Sequence, residues 1–220
     1  VDMATLNQTM GWTPIAGTLG GTISSMQWTN DRYVLEGELT IRAFDGTATL
    51  THLSAQQPLS DNPIVGVDMA LHQLDLAPLA DTFNFGSMTG RMDGSIYGLQ
   101  LVGGNPVAFK ASLLAQNGGK ISLHAANNLS VLTGGTPASG FQGAVMKLFK
   151  TLNYKRMGIT STLENGVCTF GGLDSDASGY TIVDGNGLPY LHVVGEQTRI
   201  DWPVFLRRLK TATQAPIADR

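Results

Sequence analysis

The feature that most constrains this chain is a two-residue beat of apolar and polar side chains that returns along most of its length. In YVLEGELTIRAF, residues Leu35, Leu39 and Ile41 share one face with Tyr33 and Gly37, while Glu36, Glu38, Thr40 and Arg42 take the other. That pattern specifies a half-buried antiparallel strand. The pair Asp45-Gly46 signals a hairpin into TATLTHL, and VGVDMALHQL alternates again through Val65, Val67, Met69 and Leu71. Further strand-like runs cover Met88 to Leu101, Val107 to Leu114, Lys120 to Ala125, Met157 to Leu163, Val167 to Gly172, Tyr180 to Val183 and Tyr190 to Val194. Between or within them lie the turn signals Asp93-Gly94, Asn117-Gly118-Gly119, Asn165-Gly166 and Asp184-Gly185-Asn186-Gly187.

Three segments carry helical spacing instead. Ser139 with Gln142 forms a capping box ahead of the stripe Phe141, Val145, Leu148, Phe149 and Leu152. Asp201 as an N-cap, with Pro203 in the first turn, opens a helix whose face is Trp202, Phe205, Leu206 and Leu209 and whose basic residues are Arg207, Arg208 and Lys210. Asp75 caps a short helix with Leu76, Leu79 and Phe83 on one side. With 27 glycines and only 14% charged residues, the chain reads as a turn-rich, mainly β protein of one domain over residues 1–220, with short amphipathic helices as plugs. The stretch TGGTPASG is a loop rather than a linker.

The chemistry-bearing residues are sparse. A net charge of -3 supplies no basic footprint for nucleic acid. The lone Cys168 excludes an intrachain disulfide and reads as a small buried hydrophobe. The four histidines, His52, His72, His124 and His192, show no ligand spacing and are expected on strand faces. DSDASGY offers Asp174, Asp176 and Ser178 at the spacing of half a calcium loop, but Gly185 stands where the closing Glu belongs; the alternative is a polar turn. GTLGGT at 17–22 is a strand entry rather than a phosphate cradle, and Asn7 and Asn128 head short glycosylation patterns. No catalytic residue, metal or cofactor is expected, so the chain is read as a non-enzyme.

The run NYKRMGITSTLENGVCTFGGL followed by GLPYLHVVGEQTRIDWPVFLRRLK resembles the C-terminal region of the AsmA-like superfamily, closest to the YdbH type often labelled a dicarboxylate transport domain. LDLAPLADTFNFGSMTGRMDGSIYGLQLVGGNPVAFKASL looks like the preceding repeat, and the resemblance spans roughly residues 15 to 210. It is a likeness of layout rather than of a catalytic signature. What it implies is a curled antiparallel sheet, an open, groove-like half-barrel with two or three short helices at its ends. It further implies a periplasmic bridge in a Gram-negative envelope, anchored at the inner membrane, along which phospholipid acyl chains travel between inner and outer membranes. The chain, which starts at Val1, is then expected to be an excised C-terminal fragment of a longer envelope protein.

On that reading Leu35, Leu39, Ile41, Val65, Val67, Met69, Leu71, Val107, Phe109, Ala111 and Leu113 are groove candidates, and alternation alone leaves them equally open to an ordinary core role. Met26, Met69, Met88 and Met92 would suit an adaptable lining. Trp202, Phe205, Leu206 and Leu209 would close the end of the groove, with the basic residues turned toward anionic lipid or a partner, or else simply pack on the sheet. The competing expectation is a binding or assembly module that offers a sheet edge to an envelope protein partner and carries no lipid. A truncated trough also has reason to form a homodimer that hides its lining.

Overall fold

The computed structural model describes residues 15–29, 31–135, 150–176 and 179–214. Asn7, Ser178 and the expected Ser139 helix as far as Phe149 lie outside the described residues, whereas Leu152, expected as the last residue of that helix's stripe, lies in a strand and pairs with Ile121. The chain is mainly β: among the described residues it forms one open 13-stranded antiparallel sheet, curled and not closed into a barrel, with three short helices. Strands β1 (Thr18–Thr29), β2 (Arg32–Ala43), β3 (Gly46–Gln56), β4 (Ile64–Asp75), β5 (Arg91–Val102) and β6 (Asn105–Ala115) form an up-and-down meander. After the short β7 (Gly119–Ser122) comes the long β8 (Thr151–Glu164), which takes β6 and β7 along one edge. Its other edge takes β9 (Val167–Gly172) and β11 (Gly179–Gly185). The small strands β10 (Ser175–Asp176), β12 (His192–Gly195) and β13 (Arg199–Asp201) pair with β11, β11 and β9. The helices are α1 (Leu76–Thr82), α2 (Leu123–Leu132) and α3 (Trp202–Gln214).

Two-residue hairpins with left-handed turn residues set the register. Asn165 (φ 50°) and Gly166 (φ 75°) connect β8 to β9 as the sequence indicates, and Gly103 and Gly104 do the same between β5 and β6. Between β2 and β3 the turn sits one residue earlier than expected: Phe44 and Asp45, both at φ 52°, occupy it, and Gly46 already pairs with Ala43. Asp93-Gly94 is not a turn at all but lies inside β5. Met88 precedes β5 and meets Ile121 in an isolated bridge. The expected strand at 120–125 ends at Ser122, whose hydroxyl accepts from the Ala125 N–H at 3.2 Å and caps α2.

Buried apolar contacts are confined to one part of the sheet. The core cluster runs from Leu74 to Ile200 and contains Ile121, Leu163, Cys168, Ile182, Val183 and Val193, each no more than 1% exposed. No residue of β1, β2 or β3 belongs to it. The chain therefore has a conventionally packed end around β7 to β13 and a thin end whose side chains water can reach.

Helix ends are closed by asparagines. Asn84 takes the left-handed conformation (φ 50°) just after α1, and the Phe85 N–H reaches back to the Ala80 carbonyl at 2.9 Å, completing a Schellman cap. Its side-chain amide donates to the Thr213 carbonyl at 2.9 Å, while buried Asn128 of α2 donates to the Ala212 carbonyl at 3.2 Å and the Phe85 carbonyl at 2.9 Å. Two of the carbonyls that the last turn of α3 leaves without intrahelical partners are thus satisfied by neighbouring elements.

Candidate functional site

Directly opposed residues of antiparallel strands point to the same face, so the register reads out each surface of the sheet. One row crosses seven strands as Leu19, Ile41, Ala48, Leu71, Gly94, Leu113 and Ile159. The next on that face is Gly21, Leu39, Leu50, Met69, Ile96, Ala111 and Ser161. A third runs Trp28, Tyr33, Ala55, Val65, Leu101 and Pro106. The opposite face carries Gly20, Thr40, Thr49, Ala70, Ser95, Ser112 and Thr160 in one row and Thr18, Arg42, Thr47 and His72 in another. The sheet therefore has one apolar and one polar surface from β1 to β8.

Curvature comes from bulges, which bend a strand and raise its twist. Register breaks occur in every pairing from β1/β2 to β5/β6. At Gly21 and Gly37, with φ near 140°, the β1 and β2 backbones approach so closely that a Cβ on Gly37 would strike the Thr22 carbonyl oxygen. Two other bulges place His52 and Gln73 in the left-handed region, and each is held by an aspartate on the polar face. Asp68 accepts from the Gly98 N–H at 2.6 Å and lies 2.9 Å from His52 Nδ1. Asp93 accepts from the Gln73 N–H and its side-chain amide, both at 2.9 Å, and lies 2.9 Å from His72 Nδ1. The Gln73 backbone N–H, ahead of its side chain and His72, holds the Asp93 carboxyl below the usual carboxylate range.

At the packed end the apolar face passes beneath helices. Trp202 stacks on Phe205 (centroids 5.4 Å apart) and meets Phe109 edge-on at 5.7 Å, and Phe205 lies 5.1 Å from Phe170. Beside this contact a cavity of about 750 Å³ opens between α1, α3 and the sheet, lined by Leu76, Leu79, Phe83, Met88, Met92, Leu113, Ile159, Leu206 and Leu209 among others. Leu113 and Ile159 belong to the first apolar row, so the cavity floor continues into the open face.

The eleven expected groove residues Leu35, Leu39, Ile41, Val65, Val67, Met69, Leu71, Val107, Phe109, Ala111 and Leu113 fall on the apolar face by register and alternation. Their surroundings differ. Val67 is buried, Val107 is 38% exposed at a bulge, Phe109 lies under Trp202, and Leu113 forms the cavity floor. Of the four end-helix residues, Trp202 and Phe205 pack on the sheet, while Leu206 and Leu209 line the cavity. Met88 and Met92 line it too, whereas Met26 is 65% exposed on β1. Residues that the sequence reading passed over include Leu19, Ile23, Trp28, Leu50, Leu53, Ile96, Leu99 and Leu101. Alternation in TATLTHL points to Leu50, but the bulge at His52 shifts the parity before Leu53.

The polar candidates have structural occupations. Asp174 accepts from Arg156 Nη2 at 2.7 Å, Asp184 accepts from Arg156 Nε at 2.9 Å and from the Tyr190 hydroxyl at 2.8 Å, and Asp176 sits in β10. Arg156 is the main reason that the Asp184 carboxyl is held low. His124 lies in α2, not on a strand, 3.3 Å from the Asn128 amide. Cys168 is fully buried, 3.0 Å from Ser161 Oγ, and burial pushes its thiol pKa up. Among the described residues no group of three His, Cys, Asp or Glu side chains is placed to hold a metal ion, and no helix is long and apolar enough to cross a membrane.

No protein-family model, curated protein or solved structure matches the chain.

Proposed function

We propose that this is a non-enzymatic module of a cell envelope, whose apolar trough carries phospholipid acyl chains between inner and outer membranes. The observation that carries the reading is the apolar face of β1 to β4, largely only part-buried and without a covering layer among the described residues, backed by a polar face and continuous by register with the cavity under α3. In a soluble sheet a face of this composition is ordinarily covered by a second layer, and a large exposed apolar patch marks a binding surface. Acyl chains on such a face need no nucleophile or cofactor, because apolar contact at roughly 25 cal/mol per Å² supplies the driving force. The AsmA-like layout of residues 152–210 supports the same reading and supplies the periplasmic setting, with the inner-membrane anchor elsewhere in the full-length protein.

A second reading is favoured by one observation. β1 contains neither charged residues nor proline, and its Ile23, Met26 and Trp28 are about half exposed or more. Sheet edges left unprotected in this way are templates for a partner strand, which suits an assembly module. One experiment separates the two: native mass spectrometry of protein purified from bacterial membranes in mild detergent. Co-purifying phospholipid that is lost in a folded Met69→Asp variant supports the trough. A protein that stays lipid-free with added phospholipid yet captures an envelope protein, and loses it when Ser25→Lys is placed on β1, overturns it.

A further inference from the structure

The cavity at the helical end differs in kind from the open face that leads to it. Among the described residues that line it, Lys210 alone is charged. The polar groups beside it are committed: Thr82 Oγ1 donates to the Pro78 carbonyl, the Asn84 amide to the Thr213 carbonyl and Thr213 Oγ1 to the Leu209 carbonyl. Lys210 is exposed, and none of the ion pairs among described residues uses its ammonium. Its position follows from the helix. Trp202, Phe205, Leu209 and Ala212 form the stripe of α3 turned to the sheet, and Leu206, Lys210 and Thr213 form the adjoining stripe, which faces the cavity mouth. Arg208 is engaged elsewhere, donating to the Gln197 side-chain carbonyl at 2.9 Å.

We infer that this cavity is a terminal binding site for one acyl chain of an anionic single-chain lipid, with the head group held at the mouth by Lys210. The site rests on the trough reading, of which it is the closed end. Its volume of about 750 Å³ lies within the ~300–1,000 Å³ span of sites for single small ligands. Leu76, Met88, Met92 and Ile159 supply the apolar depth, and Phe83 and Leu206, 38% and 41% exposed, leave the mouth open. One cation with no carboxylate among the described lining residues selects an anionic head over a neutral one. A carboxylate and a phosphate monoester satisfy the same ammonium, and they are told apart by probe rather than by geometry.

The test is calorimetric titration of the full chain with palmitate, a lysophosphatidate and neutral monopalmitin, each kept below its micelle concentration. One-to-one binding of palmitate, of lysophosphatidate or of both is expected, and which of them binds identifies the head group. Lys210→Glu should weaken the anionic probe roughly tenfold or more while changing monopalmitin less than about twofold. Met92→Trp, and Leu206→Trp at the exposed rim where folding is not at risk, should block all three probes. Equal sensitivity of anionic and neutral probes to Lys210→Glu overturns the head-group assignment, and binding unaffected by Leu206→Trp and Met92→Trp overturns the site. Uptake of diacyl phospholipid from vesicles, blocked by Met69→Asp, is read in parallel. If uptake persists while no single-chain probe binds, the terminal site fails and the trough stands; if neither occurs, both fail.

Discussion

Deleting the same atoms from two leucines on one face of the sheet distinguishes an open trough from a buried core. Leu163 is 1% exposed, opposed by Phe109 and Cys168 and inside the core cluster. Leu163→Ala removes three carbons, worth about 0.8 kcal/mol each in transfer, and leaves a cavity, so the expected cost is about 3 kcal/mol within the usual 2–5 kcal/mol range. Leu50 lies between Leu39 and Met69 on the same face but is only partly buried, and no core-cluster residue packs on it. For Leu50→Ala only part of the transfer term applies and no closed cavity forms, giving about 1–1.5 kcal/mol. Urea unfolding of both variants measures the difference. Phospholipid affinity, measured on the folded protein, should reverse the order: up to about tenfold weaker for Leu50→Ala, matching about 1.4 kcal/mol of lost contact, and unchanged for Leu163→Ala. A cost of 3 kcal/mol or more at Leu50, with unchanged lipid affinity, would refute the open-face argument, because it would mean that a packed layer covers β3.

Other outcomes are fixed by single groups. Burial pushes the phenols of Tyr154 and Tyr180 up to about 12, and both are 1% exposed. Since the unfolded phenols ionise near pH 10, stability is fully present below about pH 10 and falls as the pH rises toward 12, by up to roughly 3 kcal/mol per tyrosine; Tyr154→Phe should remove about half of that fall in unfolding experiments across the range. Asn128→Ala strands the buried Ala212 carbonyl and the part-buried Phe85 carbonyl and should cost about 1–3 kcal/mol, with faster amide exchange in the last turn of α3 as its signature. Asp93 carries a lowered pKa, so its clamp on Gln73 is present above about pH 4 and is lost as the pH falls through the lowered value. Asp93→Ala should mimic the acid state at neutral pH, with faster exchange at the Gln73 amide and a stability loss of about 1 kcal/mol, at the low end because the side chain is 49% exposed.

Strand existence was readable in the sequence wherever alternation ran unbroken, as from Tyr33 to Ala43. Position was not readable where a bulge intervenes, since one inserted residue reverses the parity of everything after it: Leu50 and Leu53 share a face although they are three residues apart. Turns show the same limit. Asp45-Gly46 and Asp93-Gly94 carry the same letters, yet the first adjoins a hairpin while the second supplies a bulge clamp and leaves room for Leu113, whose Cδ2 would lie 2.7 Å from any Cβ at Gly94. Helix α2 escaped because its first turn falls within the strand-like run from Lys120 to Ala125, although Ser122 followed by Leu123, Ala126 and Leu129 carried a cap and a period. Asn128 proves to be buried, and its value lies in partners 43 and 84 residues away that local pattern cannot supply. The cavity is equally non-local, being built from α1, α3 and the sheet.

The polar face explains how an apolar face can stay open. A flat, solvent-backed sheet with one greasy surface would reduce its exposure by stacking or aggregating, and its edges would invite both. Here the polar surface carries the bending devices: Asp68 and Asp93 each hold a backbone N–H at a bulge that alternation would otherwise iron out. The apolar side chains of β2 to β4 are mostly part-buried although no covering layer lies over them among the described residues. At the other end Asn84 and Asn128 lock three helices into a fixed cover over the same rows. Because the two devices use different residues on opposite faces, the proposed trough predicts that its curvature and the closure of its end can be altered independently. A chain built only to bury its own core would have no reason to separate them.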